Sequence, residues 1–219
     1  MILLLAGAAR AGAAEPRVEM DLRLETLGIV KMLTDGPPLK GFRAPNIEYV
    51  RRARKSFARF KNHRAVKLTA ALPADFNHLL RTDALLRRGP LPALAPRLFM
   101  PDFLIAQAGG RERFDAWIAA LAEFARDAQV EKFVSSNAAT LDPALAEFRE
   151  DVARRRYMAK LERYTGIAFE GTYAVHPSVF YLTGSQVNTV VRLGKGGHAI
   201  QSVVGADVLS GGRIDFHPE

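Results

Sequence analysis

Thr165-Gly166-Ile167-Ala168-Phe169-Glu170-Gly171-Thr172-Tyr173-Ala174-Val175 is the stretch that decides the fold. Up to Thr165 the apolar residues recur at helical spacing. Gly166 can take the left-handed conformation that ends a helix. Beyond it come short runs rich in β-branched and aromatic residues: Ile167–Val175, Val179–Thr183, Val187–Leu193 and Ala199–Val204. His176-Pro177, Gly184-Ser185 and Gly194-Lys195-Gly196-Gly197 punctuate them, which predicts strands joined by tight turns. Helices first and strands afterwards define an α+β protein. The expectation is a helical N-terminal two-thirds, residues 15–166, followed by a small, mainly antiparallel β-meander in residues 167–219, the two packed as one composite domain.

Working back from Gly166, Asp142-Pro143 reads as an N-cap and first-turn proline opening a single helix that runs to about Tyr164, with Leu145, Phe148 and Val152 inward. Phe114, Trp117, Ile118, Leu121, Phe124 and Ala128 form one continuous stripe, the clearest helix of the chain. Pro101-Asp102 opens a short helix that Gly109-Gly110 ends, and Gly89 to Pro96 is an extended connection. Leu68 to Arg88 is further helical material of poorer periodicity. A helix capped by Asn46 turns Ile47, Val50, Phe57 and Phe60 inward. Met20, Leu24, Leu27 and Val30 mark the first helix, stopped by Asp35-Gly36-Pro37-Pro38.

A chain of 219 residues is long enough to bury a sizeable core. No run is long and apolar enough to span a membrane. The absence of cysteine excludes thiolate metal sites and a cysteine nucleophile. Met1 to Ala9 is a short apolar run, and Ala11-Gly12-Ala13 is a small-residue cleavage pattern. Residues 1–14 therefore read as a signal peptide lacking its basic start, and the protein as secreted or periplasmic. The net charge of +8 is concentrated between Lys40 and Lys67, where Glu48 is the one acid. Arg51, Arg52, Lys55, Arg59 and Lys61 lie there on the solvent side of a helix and are candidates for contact with an anionic lipid or polyanion. The aromatics of this segment face inward, so nucleic acid is not the expected partner.

No catalytic constellation stands out. His63, His78, His176, His198 and His217 include no pair at helical i, i+4 spacing, so no zinc-binding helix is present. Gly194 to Gly197 lacks the spacing of a phosphate loop and reads as a hairpin turn. Glu147, Glu150 and Asp151 stand beside Arg149 and Arg154 to Arg156, as on an ion-paired solvent face. The chain reaches Ile214-Asp215-Phe216-His217-Pro218-Glu219, where proline and a carboxylate suit the first turn of a helix.

Four segments carry a resemblance. Glu15-Pro16-Arg17-Val18-Glu19 before an apolar helix, the run Phe57 to Val66 with its aromatic–Lys–x–His–x–x–Val pattern, Phe124 to Phe133 with the helix after Asp142, and the strands from Tyr173 to Leu193 are similar to a family of bacterial secreted proteins first catalogued as a domain of unknown function. That resemblance implies a zinc-metallopeptidase-like protein, with an H-E-x-x-H helix following the strands. Two histidines would hold zinc there, and the glutamate would activate its bound water. On this resemblance the motif lies beyond Glu219, so no catalytic or metal residue is assigned and this chain alone is expected to be catalytically incomplete. It would supply the helical scaffold and a sheet that docks an extended peptide or protein substrate by β-addition. Without the following helix, the strands would show an apolar face. The alternative is a non-catalytic envelope binding module that uses the basic helix.

Overall fold

The computed structural model describes residues 15–34, 40–169, 171–181, 186–193, 197–209 and 213–216. The proposed signal peptide, the Asp35 to Pro38 stop, the Gly184-Ser185 turn, Gly194 to Gly196 and the His217-Pro218 helix start lie outside them.

The fold is built around its first helix. Strand β1 (Arg17–Val18) leads to α1 (Leu22–Met32), capped by Asp21, whose carboxylate accepts from the Arg23 amide at 2.8 Å. α2 (Glu48–Phe57), α3 (Arg64–Ala71), α4 (His78–Leu86), α6 (Arg111–Asp127) and α7 (Val130–Asn137) all pack on α1. It is therefore closed on every side, and even Arg23, Glu25, Thr26 and Lys31 are buried. α5 (Asp102–Gln107) packs on α6, while α8 (Asp142–Arg155) and α9 (Tyr157–Thr165) lead to the sheet.

The predicted stripe of α6 is buried in full: Phe114, Trp117, Ile118, Leu121, Phe124 and Ala128 join one core. Local signals placed several ends to within a residue or two, but the helix expected from Asp142 to about Tyr164 is broken by Arg156, φ 49°, into α8 and α9. α2 is capped by Ile47 without a side-chain bond, one residue past Asn46, and α8 begins on Asp142 with Leu141 as its cap. Gly166 ends α9 in the left-handed conformation, φ 69°. Gly89 to Pro96 is not extended; it turns back on itself, with the Gly89 amide donating to the Ala95 carbonyl at 2.8 Å.

The class is α+β, with β2 (Gly171–Ser178), β3 (Gln186–Leu193) and β4 (Gly197–Gly205) following the helices. The connectivity differs from a meander. The sheet order is β1-β2-β4-β3; β1 and β4 run parallel to β2, and only β3 is antiparallel to its neighbour β4. The β3–β4 pair has the hairpin register expected around Gly194 to Gly197, with Leu193 opposite Gly197. Val179–Thr183 is not a strand over its described part: after Ser178 the chain turns, and Tyr181 makes a single bridge to Phe42. That turn diverts the chain from β2, leaving the neighbouring position for β4. A separate pair, β5 (Asp207–Val208) and β6 (Ile214–Asp215), lies at the end, where Phe216 packs on Phe148 of α8.

Register partners share a face, since successive side chains alternate. His176, Ser178, Thr189 and Val203 point inward to α1 and α4; Tyr173, Val175, Asn188, Ser202 and Val204 point outward.

Candidate functional site

α2 carries two contrasting faces. Ile47, Tyr49, Val50, Ala53 and Phe57 are buried, whereas Arg51, Arg52, Lys55, Arg59 and Lys61 are all exposed. Phe60 is half-buried in a short 3-10 turn after the helix, packing on Phe124. Glu48 holds two of the cations at once, Arg51 and Arg52, each at 2.7 Å. Arg59 lies over the Phe60 ring at 4.9 Å. The face is thus a partly neutralised cationic surface, able to meet an anionic one.

Behind it lies a polar core that the sequence did not disclose. Asp21 and Arg23 form a buried ion pair. The guanidinium also donates to the Arg88 carbonyl at 2.5 Å and to the Gln201 side chain at 3.1 Å, stapling α1 to the end of α4 and to β4. Burial pushes the Asp21 carboxyl up, but the hydrogen bonds and charge of Arg23 outweigh it and hold it below its usual range. One turn along, Glu25 is inaccessible to solvent and accepts from the Tyr49 hydroxyl at 2.7 Å and the Ser178 hydroxyl at 3.0 Å. Burial nevertheless pushes its carboxyl up to about 7.

The histidines are structural where they are described. His63 caps α3, its Nδ1 accepting from the Ala65 amide at 3.1 Å. His176 sits 3.1 Å from the Glu19 carbonyl. His78 is enclosed between Phe42 and Tyr181 with no hydrogen bond to either ring nitrogen. Burial lowers its pKa to about 3, and the charges of Arg81 and Lys31 add to the effect. Those same cations oppose a metal ion at His78. The side chain of His198, and all of His217, lie outside the described residues. Among the described residues no group of three histidines or carboxylates is placed to hold a metal ion. Asp151, read as part of a solvent face, is instead buried and paired with Arg154 at 2.5 Å and Arg155 at 2.6 Å. It lies at the C-terminal half of α8, and its partners cover it from solvent.

Strand β3 is the remaining feature with binding potential. It forms one border of the sheet, and among the described residues its other side pairs with no strand. Thr189 anchors it from behind by donating to Asp83 of α4 at 2.6 Å, a carboxylate that Arg87 also holds at 3.1 Å. On the outer side Val190 is exposed. A row of backbone donors and acceptors on a strand fixed in this way is a template for a further strand.

No described helix is long and apolar enough to cross a membrane. No protein-family model, curated protein or solved structure matches the chain.

Proposed function

We propose that this chain is the scaffold and substrate-docking part of a secreted zinc-metallopeptidase-like protein. The observation that carries the reading is the border of β3 that pairs with no strand among the described residues, eight residues long and antiparallel to an otherwise parallel sheet. An extended peptide laid along it gains main-chain hydrogen bonds without regard to sequence, which is what a peptidase needs for a general substrate. The resemblance of the Glu15 to Glu19, Phe57 to Val66, Phe124 to Phe133 and Tyr173 to Leu193 segments supports the class. The zinc-binding helix it implies is not found in these 219 residues, which contain no H-E-x-x-H. On this reading the chain's own residues bind and orient substrate, and the hydrolytic step belongs to the helix that follows.

The test is peptide cleavage by the product of the complete reading frame. A frame that continues beyond Glu219 into H-E-x-x-H, and whose product cleaves unfolded casein until zinc is chelated, supports the reading. A frame that encodes no such motif, or cleavage indifferent to chelation, contradicts it.

The exposed cations of α2 favour a second reading, a non-catalytic envelope module that contacts anionic lipid or polyanion through Arg51, Arg52, Lys55, Arg59 and Lys61. Its signature is binding that weakens steeply with salt and needs neither zinc nor the β3 border.

A further inference from the structure

The outer face of the sheet holds a cavity that neither reading uses. It measures about 530 Å³ and lies between the sheet and the α8–α9 arm. Phe148 and Val152 of α8, Met158 and Leu161 of α9, and Val175 and Val204 of the sheet make it predominantly apolar. A cavity of this size, within the range of roughly 300–1,000 Å³ typical of small-ligand sites, suits a compact molecule better than a folded partner.

Its polar groups are few and placed apart. On the floor, the Ser202 hydroxyl lies 2.5 Å from the Asn188 side-chain oxygen and 3.1 Å from the Tyr173 hydroxyl, a row that satisfies itself across three strands. At the rim stands Lys160, the one charged residue among the described residues that line the cavity. An apolar body with a single negative charge at one end complements this arrangement.

The α9 wall is also built to give way. Arg156 and Gly166 bracket it in the left-handed conformation, φ 49° and 69°, so the helix is set off from its surroundings by a backbone break at each end. Met158 is its one buried residue, while Leu161 is 48% exposed and Tyr164 91% exposed. A helix that buries so little is held weakly and can shift to admit a chain beneath it. The same apolar side chains gain burial when a ligand is present.

We propose that this groove binds a small amphiphile of the free fatty-acid class, its hydrocarbon chain lying between α9 and the sheet and its carboxylate paired with Lys160. The groove lies on the outer face of the sheet and takes only Asn188 from β3, so decanoate binding is read separately from peptide pairing along the β3 border.

The experiment is calorimetric titration of the chain with decanoate and, as the neutral counterpart, decanol. Decanoate is expected to bind saturably at one site, and Lys160→Glu to weaken it at least about two- to five-fold, the value of a solvent-exposed ion pair, while leaving decanol unchanged. Val204→Phe should fill the groove and abolish both. Because that variant alters the sheet, Leu161→Glu on the exposed wall is the second check, and it should weaken both ligands with the fold intact. Non-saturating titrations of the unmodified chain, or binding that is the same in the Lys160→Glu and Leu161→Glu variants, would overturn the proposal. So would failure of decanoate to bind a chain that dimerises and becomes monomeric on Tyr164→Glu, which would assign the face to a second copy.

Discussion

The Glu25 carboxyl and the Tyr49 hydroxyl meet at 2.7 Å in the centre of the molecule, both side chains closed off from solvent. A carboxyl raised from 4.5 to about 7 binds its proton more tightly folded than unfolded. Its contribution to stability is therefore present at low pH and is lost as pH rises through about 7, a swing of roughly 3 kcal/mol at most. His78 has the opposite sign. Lowered from 6.5 to about 3, it is neutral in the fold and charged when unfolded over that interval, so its penalty disappears as pH rises to 6.5.

Between pH 4.5 and 6.5 the two effects oppose each other, and the unmodified chain is expected to show a shallow pH dependence there. Glu25→Gln should unmask His78, giving stability that rises with pH across this window. His78→Phe should unmask Glu25, giving stability that falls with pH. Urea unfolding at a series of pH values checks both slopes, and equal slopes in the two variants would refute the pairing. His78→Phe should also stabilise the fold at pH 4.5, because it removes two buried ring nitrogens that have no hydrogen-bond partner.

Arg23→Met is expected to cost about 3–5 kcal/mol, because it leaves the buried Asp21 carboxylate without its cation and frees carbonyls at the end of α4. Arg23→Lys should recover little of this, since one ammonium cannot reach Asp21, Arg88 and Gln201 in the geometry of the planar fork. Chemical denaturation of both variants measures the difference.

Gly28 is the point of closest approach between α1 and the turn after β2. A Cβ there would stand 2.3 Å from the Phe180 ring, so the ring would have to move. Gly28→Ala should destabilise by about 1–3 kcal/mol despite the better helix propensity of alanine. A thermal melt at or above that of the unmodified chain would show that Phe180 has room to shift.

The basic face should be dispensable for folding. Replacing Arg51, Lys55 and Arg59 together by Gln is expected to change stability by less than about 1 kcal/mol, as these side chains are exposed. Retention on an immobilised polyanion such as heparin should drop, with a shallower salt dependence than the unmodified chain. Undiminished retention would remove the second functional reading.

Much of the helical part of this molecule was legible because local signals control it. The stripe from Phe114 to Ala128, the α9 stop at Gly166 and the two-faced α2 each follow from spacing within one element. What stayed hidden depends on partners far along the chain. Arg23 and Glu25 look like the wet side of an amphipathic helix until Gln201, Tyr49 and Ser178 are brought to them. The parallel sheet was hidden for the same reason: β1 is two residues long and pairs with Ala174 and Val175, so nothing local announces it as a strand. The break between α6 and α7 falls at Gln129, φ 52°, a residue with no intrinsic bias toward that conformation as strong as glycine's. Of the candidate site, the cations could be read and the strand border could not, since a border is defined by sheet order.

Amide hydrogen exchange along β3, with and without unfolded casein peptides, tests the substrate-docking claim most directly. With peptide at about ten times its Kd, the β3 amides that do not bond to β4 should exchange about tenfold more slowly, while those of α2 stay unchanged. Exchange in β3 that is indifferent to peptide, with protection appearing on the basic face of α2 instead, would contradict the docking role and leave the envelope-module reading in its place.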